Sequence, residues 1–135
     1  MLFFTFENLL DTEFITFFSI ESFQARNNLL FGRLPNTLFQ CKHLQILDLG
    51  LNSFSGVVPS DIQTMQSLIE IKLNENKLSG RIPASRSTGI EVLMMCSTML
   101  TGNIPTRIGL LKNLRIVSLN HNSLKGTIPT ELELL

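Results

Sequence analysis

The side chains with the most reactive potential are two cysteines, Cys41 and Cys96, and two histidines, His43 and His121. A metal site needs several thiolates or imidazoles at close, characteristic spacing; the two cysteines lack that spacing and the two histidines lie far apart. No G-x-S-x-G elbow, H-E-x-x-H pair or Walker-type loop is present to hold a nucleophile, a zinc ion or a phosphate. The kinase elements H-R-D and D-F-G are missing too. The residues therefore predict no catalysis, no cofactor and no metal. Eleven basic and eleven acidic residues cancel, so no global field draws the chain to nucleic acid. No apolar run approaches the roughly 20 residues of a membrane-spanning helix, so this chain is not expected to insert into a bilayer.

What recurs instead is hydrogen-bonding and backbone chemistry. Asn28, Asn52, Asn76 and Asn122 stand at one fixed place, with Thr98 substituting once. An amide side chain both donates and accepts, so such a column can serve as a ladder satisfying inward backbone groups. All five prolines, Pro35, Pro59, Pro83, Pro105 and Pro129, are spaced by 24, 24, 22 and 24 residues. Each follows a glycine by three: Gly32, Gly56, Gly80, Gly102 and Gly126.

An apolar triplet precedes each asparagine position: Ile20, Phe23, Ala25; Leu44, Leu47, Leu49; Leu68, Ile71, Leu73; Ile90, Leu93, Met95; Leu114, Val117, Leu119. The two-residue step at the end of each triplet implies a short strand with alternate side chains inward. One such strand cannot bury its face alone, so units stack and their strands pair in parallel. Glycine allows a turn that a side chain would hinder, and proline fixes φ in the return. Aliphatic positions three and six after proline then close the far wall; Cys41 holds one of them and reads as a small buried hydrophobe. Cys96 falls near the strand face, three units away, too far for a disulfide.

The unit LxxLxLxxNxLxGxIP resembles the plant-specific class of leucine-rich repeats. The clearest copies are LQILDLGLNSFSGVVP from Leu44, LIEIKLNENKLSGRIP from Leu68 and LRIVSLNHNSLKGTIP from Leu114. The resemblance implies an α/β solenoid forming a short arc. It has one parallel concave strand per repeat of about 24 residues and an irregular or 3-10 convex side. The five repeats are 20–43, 44–67, 68–89, 90–113 and 114–135, with 1–19 a degenerate half-repeat acting as a cap. Such repeats build the ectodomains of plant receptor-like kinases and receptor-like proteins, and the polygalacturonase-inhibiting proteins. The resemblance thus implies a peptide or protein ligand, a co-receptor ectodomain as a further partner, and a place at the extracellular face of the plasma membrane or in the cell wall.

Three departures from the pattern stand out. The third return, Ala84 to Gly89, is two residues short and puts Arg86 where an aliphatic residue is buried elsewhere. It predicts a local defect in the convex wall and looser packing of unit four. Nine of the ten phenylalanines lie between Phe3 and Phe39, and four acids precede the first basic residue, Arg26, which makes a poor secretory leader. The family's cysteine-paired cap is absent and no N-x-S/T sequon occurs. These features lead us to expect a fragment of a longer product. Strand alternation offers three columns as the ligand face: Ile46, Glu70, Val92 and Ile116; Gln24, Asp48, Lys72, Met94 and Ser118; Arg26, Asn74 and Asn120. Three functions fit: a receptor-type recognition module, an inhibitor of a cell-wall hydrolase, or a nonfunctional truncated copy.

Overall fold

The computed structural model describes residues 19–135. The expected half-repeat over 1–19 lies, except for Ser19, outside the described residues. The apolar triplets form five short strands: β1 (Ser22–Gln24), β3 (Ile46–Asp48), β5 (Glu70–Lys72), β7 (Val92–Met94) and β9 (Ile116–Ser118). They make one parallel concave sheet in sequence order. Its register joins Phe23, Leu47, Ile71, Leu93 and Val117, so equivalent positions stack even across the shortened unit. The middle residue of each strand points inward, and Leu47, Ile71 and Leu93 are buried with Leu44, Leu49, Leu68 and Leu73. Val117, in the last strand, is 44% exposed.

Each unit carries a second strand that alternation alone did not reveal: β2 (Phe31–Arg33), β4 (Ser53–Val57), β6 (Lys77–Arg81), β8 (Met99–Asn103) and β10 (Ser123–Lys125). These form a separate parallel lateral sheet. Its pairs, such as Gly32 with Phe54 and Gly80 with Leu100, fall two residues short of the repeat length. The lateral sheet is therefore staggered, whereas the concave sheet keeps step. Hydroxyls tie it together: Ser55, Ser79 and Thr101 donate to the carbonyls of Gly32, Gly56 and Gly80 at 3.4, 3.3 and 3.2 Å. The column glycines have φ between 78° and 98°, a region open to glycine at little cost. At Gly80 a Cβ would also lie 2.8 Å from Val57 Cγ1, so both conformation and space demand glycine there.

The convex side consists of one-turn 3-10 helices: η1 (Asn36–Gln40), η2 (Ser60–Thr64), η3 (Thr106–Leu110) and η4 (Thr130–Leu134). Each starts just after a proline with φ between −57° and −73°. The third return has no such helix. Arg86 turns out to solvent, and Ser87, 1% exposed, takes the inner place. Its single hydroxyl hydrogen is shared between Gln66 O (3.0 Å) and Leu68 O (2.9 Å). The missing aliphatic volume leaves a cavity of about 20 Å³ among Ile62, Ile71, Ile82, Ile90 and Ile108. Unit four is not loosened by this: Ile90, Leu93 and Met95 are all buried.

Candidate recognition face

The concave strands are held by backbone bonds that continue past their ends. Leu49 N donates to Lys72 O and Leu73 N to Met94 O, both at 2.8 Å. The chain then turns through a left-handed residue in every unit: Asn27, Leu51, Glu75, Ser97 and His121, with φ of 53–57°. Left-handed backbone is costly for residues other than glycine, so the turn must be held from outside. The next residue supplies the hold. Asn76 Oδ1 accepts from Phe54 N (2.9 Å), and its Nδ2 lies within reach of Leu49 O (3.0 Å), Leu73 O (3.2 Å) and Asn74 O (3.3 Å). Asn52 and Asn122 repeat this bridging toward Leu30 N and Leu100 N. Among the described residues Asn28, in the first unit, bonds to its own turn at Ala25 O and Arg26 O. Thr98 is too short to reach back; its single hydroxyl hydrogen lies within reach of Met95 O and Asn122 Oδ1 instead.

With the strands fixed, the outward side chains sort into two groups. In units one to three the polar groups are mostly engaged with one another. Lys72 Nζ pairs with Glu70 Oε2 at 2.5 Å. Gln24 Nε2 donates to Ser22 Oγ (2.9 Å). Asp48 and Asn74, placed on the face by alternation, are 8% and 2% exposed. Asp48 Oδ1 curls back to accept from Gly50 N (3.1 Å), a side-chain turn that aspartate makes readily. Asn74 donates to Glu75 Oε1 (3.2 Å) and accepts from Arg26 Nη1 (3.4 Å). Arg26 reaches that amide from two units away because Gly50 leaves the intervening place empty; a Cβ there would sit 2.5 Å from the guanidinium. Asp48 and Asn74 thus shape the face from beneath, correcting the expectation that alternation exposes them.

Units four and five differ. Val92, Met94 and Cys96 are half-buried, and Ile116 is 52% exposed. Ile46 is half-buried beside Glu70. Ser118 donates to Asn120 Oδ1 at 2.8 Å. Cys41 is buried in the convex wall, and burial pushes its thiol pKa up. Both cysteines are free thiols. Among the described residues no group of three histidine, cysteine or acidic side chains could hold a metal. No helix there is long and apolar enough to cross a membrane.

Comparison with known proteins agrees with this geometry. The family profile described as Leucine Rich Repeat matches residues 43–65 and 113–135. The Receptor-like protein kinase HAIKU2 of Arabidopsis thaliana is 36% identical over 78 residues, which is 58% of this chain and 8% of that protein. A chain of the Arabidopsis BIR3–SERK2 complex superposes with a TM-score of 0.77 and 38% identity, covering 81% of this chain and 60% of that one. The Arabidopsis receptor kinase HAESA, in complex with the peptide hormone IDA and the co-receptor SERK1, gives 0.77 and 33%, covering 82% and 19%. The chain therefore spans a small part of its sequence relative and less than two thirds of these solved chains. By its repeat motif, its stacked strands and these likenesses, the chain folds as a leucine-rich repeat solenoid similar to the ectodomains of plant leucine-rich repeat receptors.

Proposed function

We propose that the chain is a non-catalytic recognition module of the kind found in ectodomains of plant receptor-like kinases and receptor-like proteins. It takes a peptide or protein on its concave sheet and meets a co-receptor ectodomain, at the extracellular face of the plasma membrane or in the cell wall. The observation that carries this reading is the concave sheet itself. Five strands in one register present a continuous face, and its apolar members are not used up in the fold. Affinity on such a face comes from a few anchors rather than total area. The residues committed to contact are Gln24, Arg26, Ile46, Glu70, Lys72, Val92, Met94, Ile116, Ser118 and Asn120, with Asp48 and Asn74 supporting them. The test is biolayer interferometry of the whole chain against a panel of synthetic secreted plant peptides and a co-receptor ectodomain. Saturable binding that is lost in a Lys72→Glu/Met94→Lys variant supports the proposal. Binding indifferent to that variant, or inhibition of a polygalacturonase instead, counts against it.

A further inference from the structure

Building on that concave-face reading, we infer that its ligand is anchored at units four and five by one or two bulky, uncharged apolar side chains. Val92 lies directly opposite Ile116 in the sheet register, and Met94 stands one strand step further along β7. Cys96 follows at the same two-residue interval. Strand neighbours are about 4.8 Å apart and alternate residues about 6.6 Å, so these four form one contiguous apolar patch roughly the size of one or two large side chains.

The surroundings set the chemistry. On one side Glu70 and Lys72 abut Val92 and Met94 in the register and neutralise each other in an ion pair. On the strand-entry side Arg115 Nε approaches Glu91 Oε2 at 3.7 Å. On the other edge Ser118 donates to Asn120 Oδ1, an uncharged pair. A charged ligand side chain would have to break one of these pairs or leave itself desolvated without a partner, either of which disfavours it. An apolar side chain needs only to displace water from Val92, Met94 and Ile116. Further along, Arg26 is bonded to Asn74 across Gly50 and Asp48 to Gly50 N, so they offer fewer free groups to a ligand. The patch and its neutral border therefore select an uncharged apolar anchor.

The probe is a phage-displayed library of random dodecapeptides, selected on the whole immobilised chain. Enriched peptides are expected to carry one or two bulky apolar residues in an uncharged stretch. Their affinity should fall roughly tenfold or more in Met94→Lys and in Ile116→Asp, and change less than about twofold in the exposed convex-side variants Lys42→Ala and Arg107→Ala. Circular dichroism melts confirm that each variant folds, and Ile116, the more exposed position, serves should Met94→Lys unfold. Enriched peptides that are charged, lose affinity in Arg26→Ala or Lys72→Gln, and ignore Met94→Lys overturn this inference and leave concave recognition standing. Peptides indifferent to all these variants, or none enriched, overturn both.

Discussion

The concave turns and the convex returns respond differently to the same change in sequence. Unit three is two residues shorter than its neighbours, yet the concave sheet passes from Glu70 to Val92 and from Ile71 to Leu93 without a slip. The whole deletion is taken up on the convex side, where a 3-10 helix disappears, Arg86 leaves the wall and Ser87 enters it. The contrast lies in what each side must supply. A concave turn has inward backbone groups that need partners of fixed geometry. A convex return needs mainly apolar volume, for which several conformations serve.

The strongest way to break this comparison is at the ladder. Asn76→Ala removes the acceptor of Phe54 N–H and the donor shared by Leu49 O, Leu73 O and Asn74 O, at a site only 7% exposed. Lost buried hydrogen bonds of this kind cost about 1–3 kcal/mol each when a group is left without a partner, so a total near 4 kcal/mol is expected by urea unfolding. A loss below about 1 kcal/mol would mean that the turns tolerate change as freely as the returns do.

A smaller effect is expected on the convex side, where η3 meets η4. Gly109 in η3 is buried, and a Cβ there would lie within van der Waals overlap of the Glu131 backbone in η4. Gly109→Ala should push the two helices apart at about 1–3 kcal/mol, as overpacking does. The ladder bonds at Asn122 should remain, visible as slow amide exchange at Leu100. If both go together, the two sides are not independent.

Much of this division is legible in the residues. The prolines, the glycine three before each, and the apolar triplets give the units and the concave register, because burying one strand face demands a strict two-residue step. The lateral sheet is less legible. Its strands read SFSGV, KLSGR and MLTGN, each interrupted by a glycine, a residue depleted in strands. Each buries a single apolar residue, Phe54, Leu78 or Leu100, and adds a hydroxyl bonded to the preceding unit's carbonyl. On the recognition face, alternation finds Val92, Met94 and Ile116 because apolar side chains standing outward have nothing to bond. It misplaces Asp48 and Asn74, whose polar ends turn back into the adjoining turn and reach Gly50 N and Glu75. Such local return bonds depend on turn geometry that a two-residue period does not encode.

Thr98 offers a way to sharpen the comparison rather than break it. Of the ladder positions whose preceding unit is described, it is the one that does not bridge back. By analogy with Asn52, Asn76 and Asn122, an asparagine there would reach Leu73 O and Leu78 N–H while keeping its bond to Met95 O. Thr98→Asn should raise stability by about 1 kcal/mol, the net worth of a hydrogen bond or two in place of the hydroxyl contact with Asn122. Thermal unfolding measures it. No gain would show that the shortened third unit holds its turn by other means.

The smallest effect concerns Cys41, a convex position that needs apolar volume and happens to be titratable. Buried at 2% exposure, its thiol has a pKa raised by desolvation. The unfolded chain, with an ordinary thiol near pH 8.5, therefore ionises first as pH rises. Stability from this group is complete below that value and is lost as pH climbs from it toward the raised folded pKa, at no more than about 1.4 kcal/mol per pH unit. Cys41→Val keeps a small aliphatic group in the wall and removes the proton, so its stability should equal the parent's near pH 7 and exceed it slightly above pH 9. Thiol labelling of the native chain at pH 8 should modify Cys96 first and Cys41 only on unfolding. Equal rates for the two thiols, or parallel pH profiles for parent and variant, would show that the convex wall opens far more readily than its packing implies.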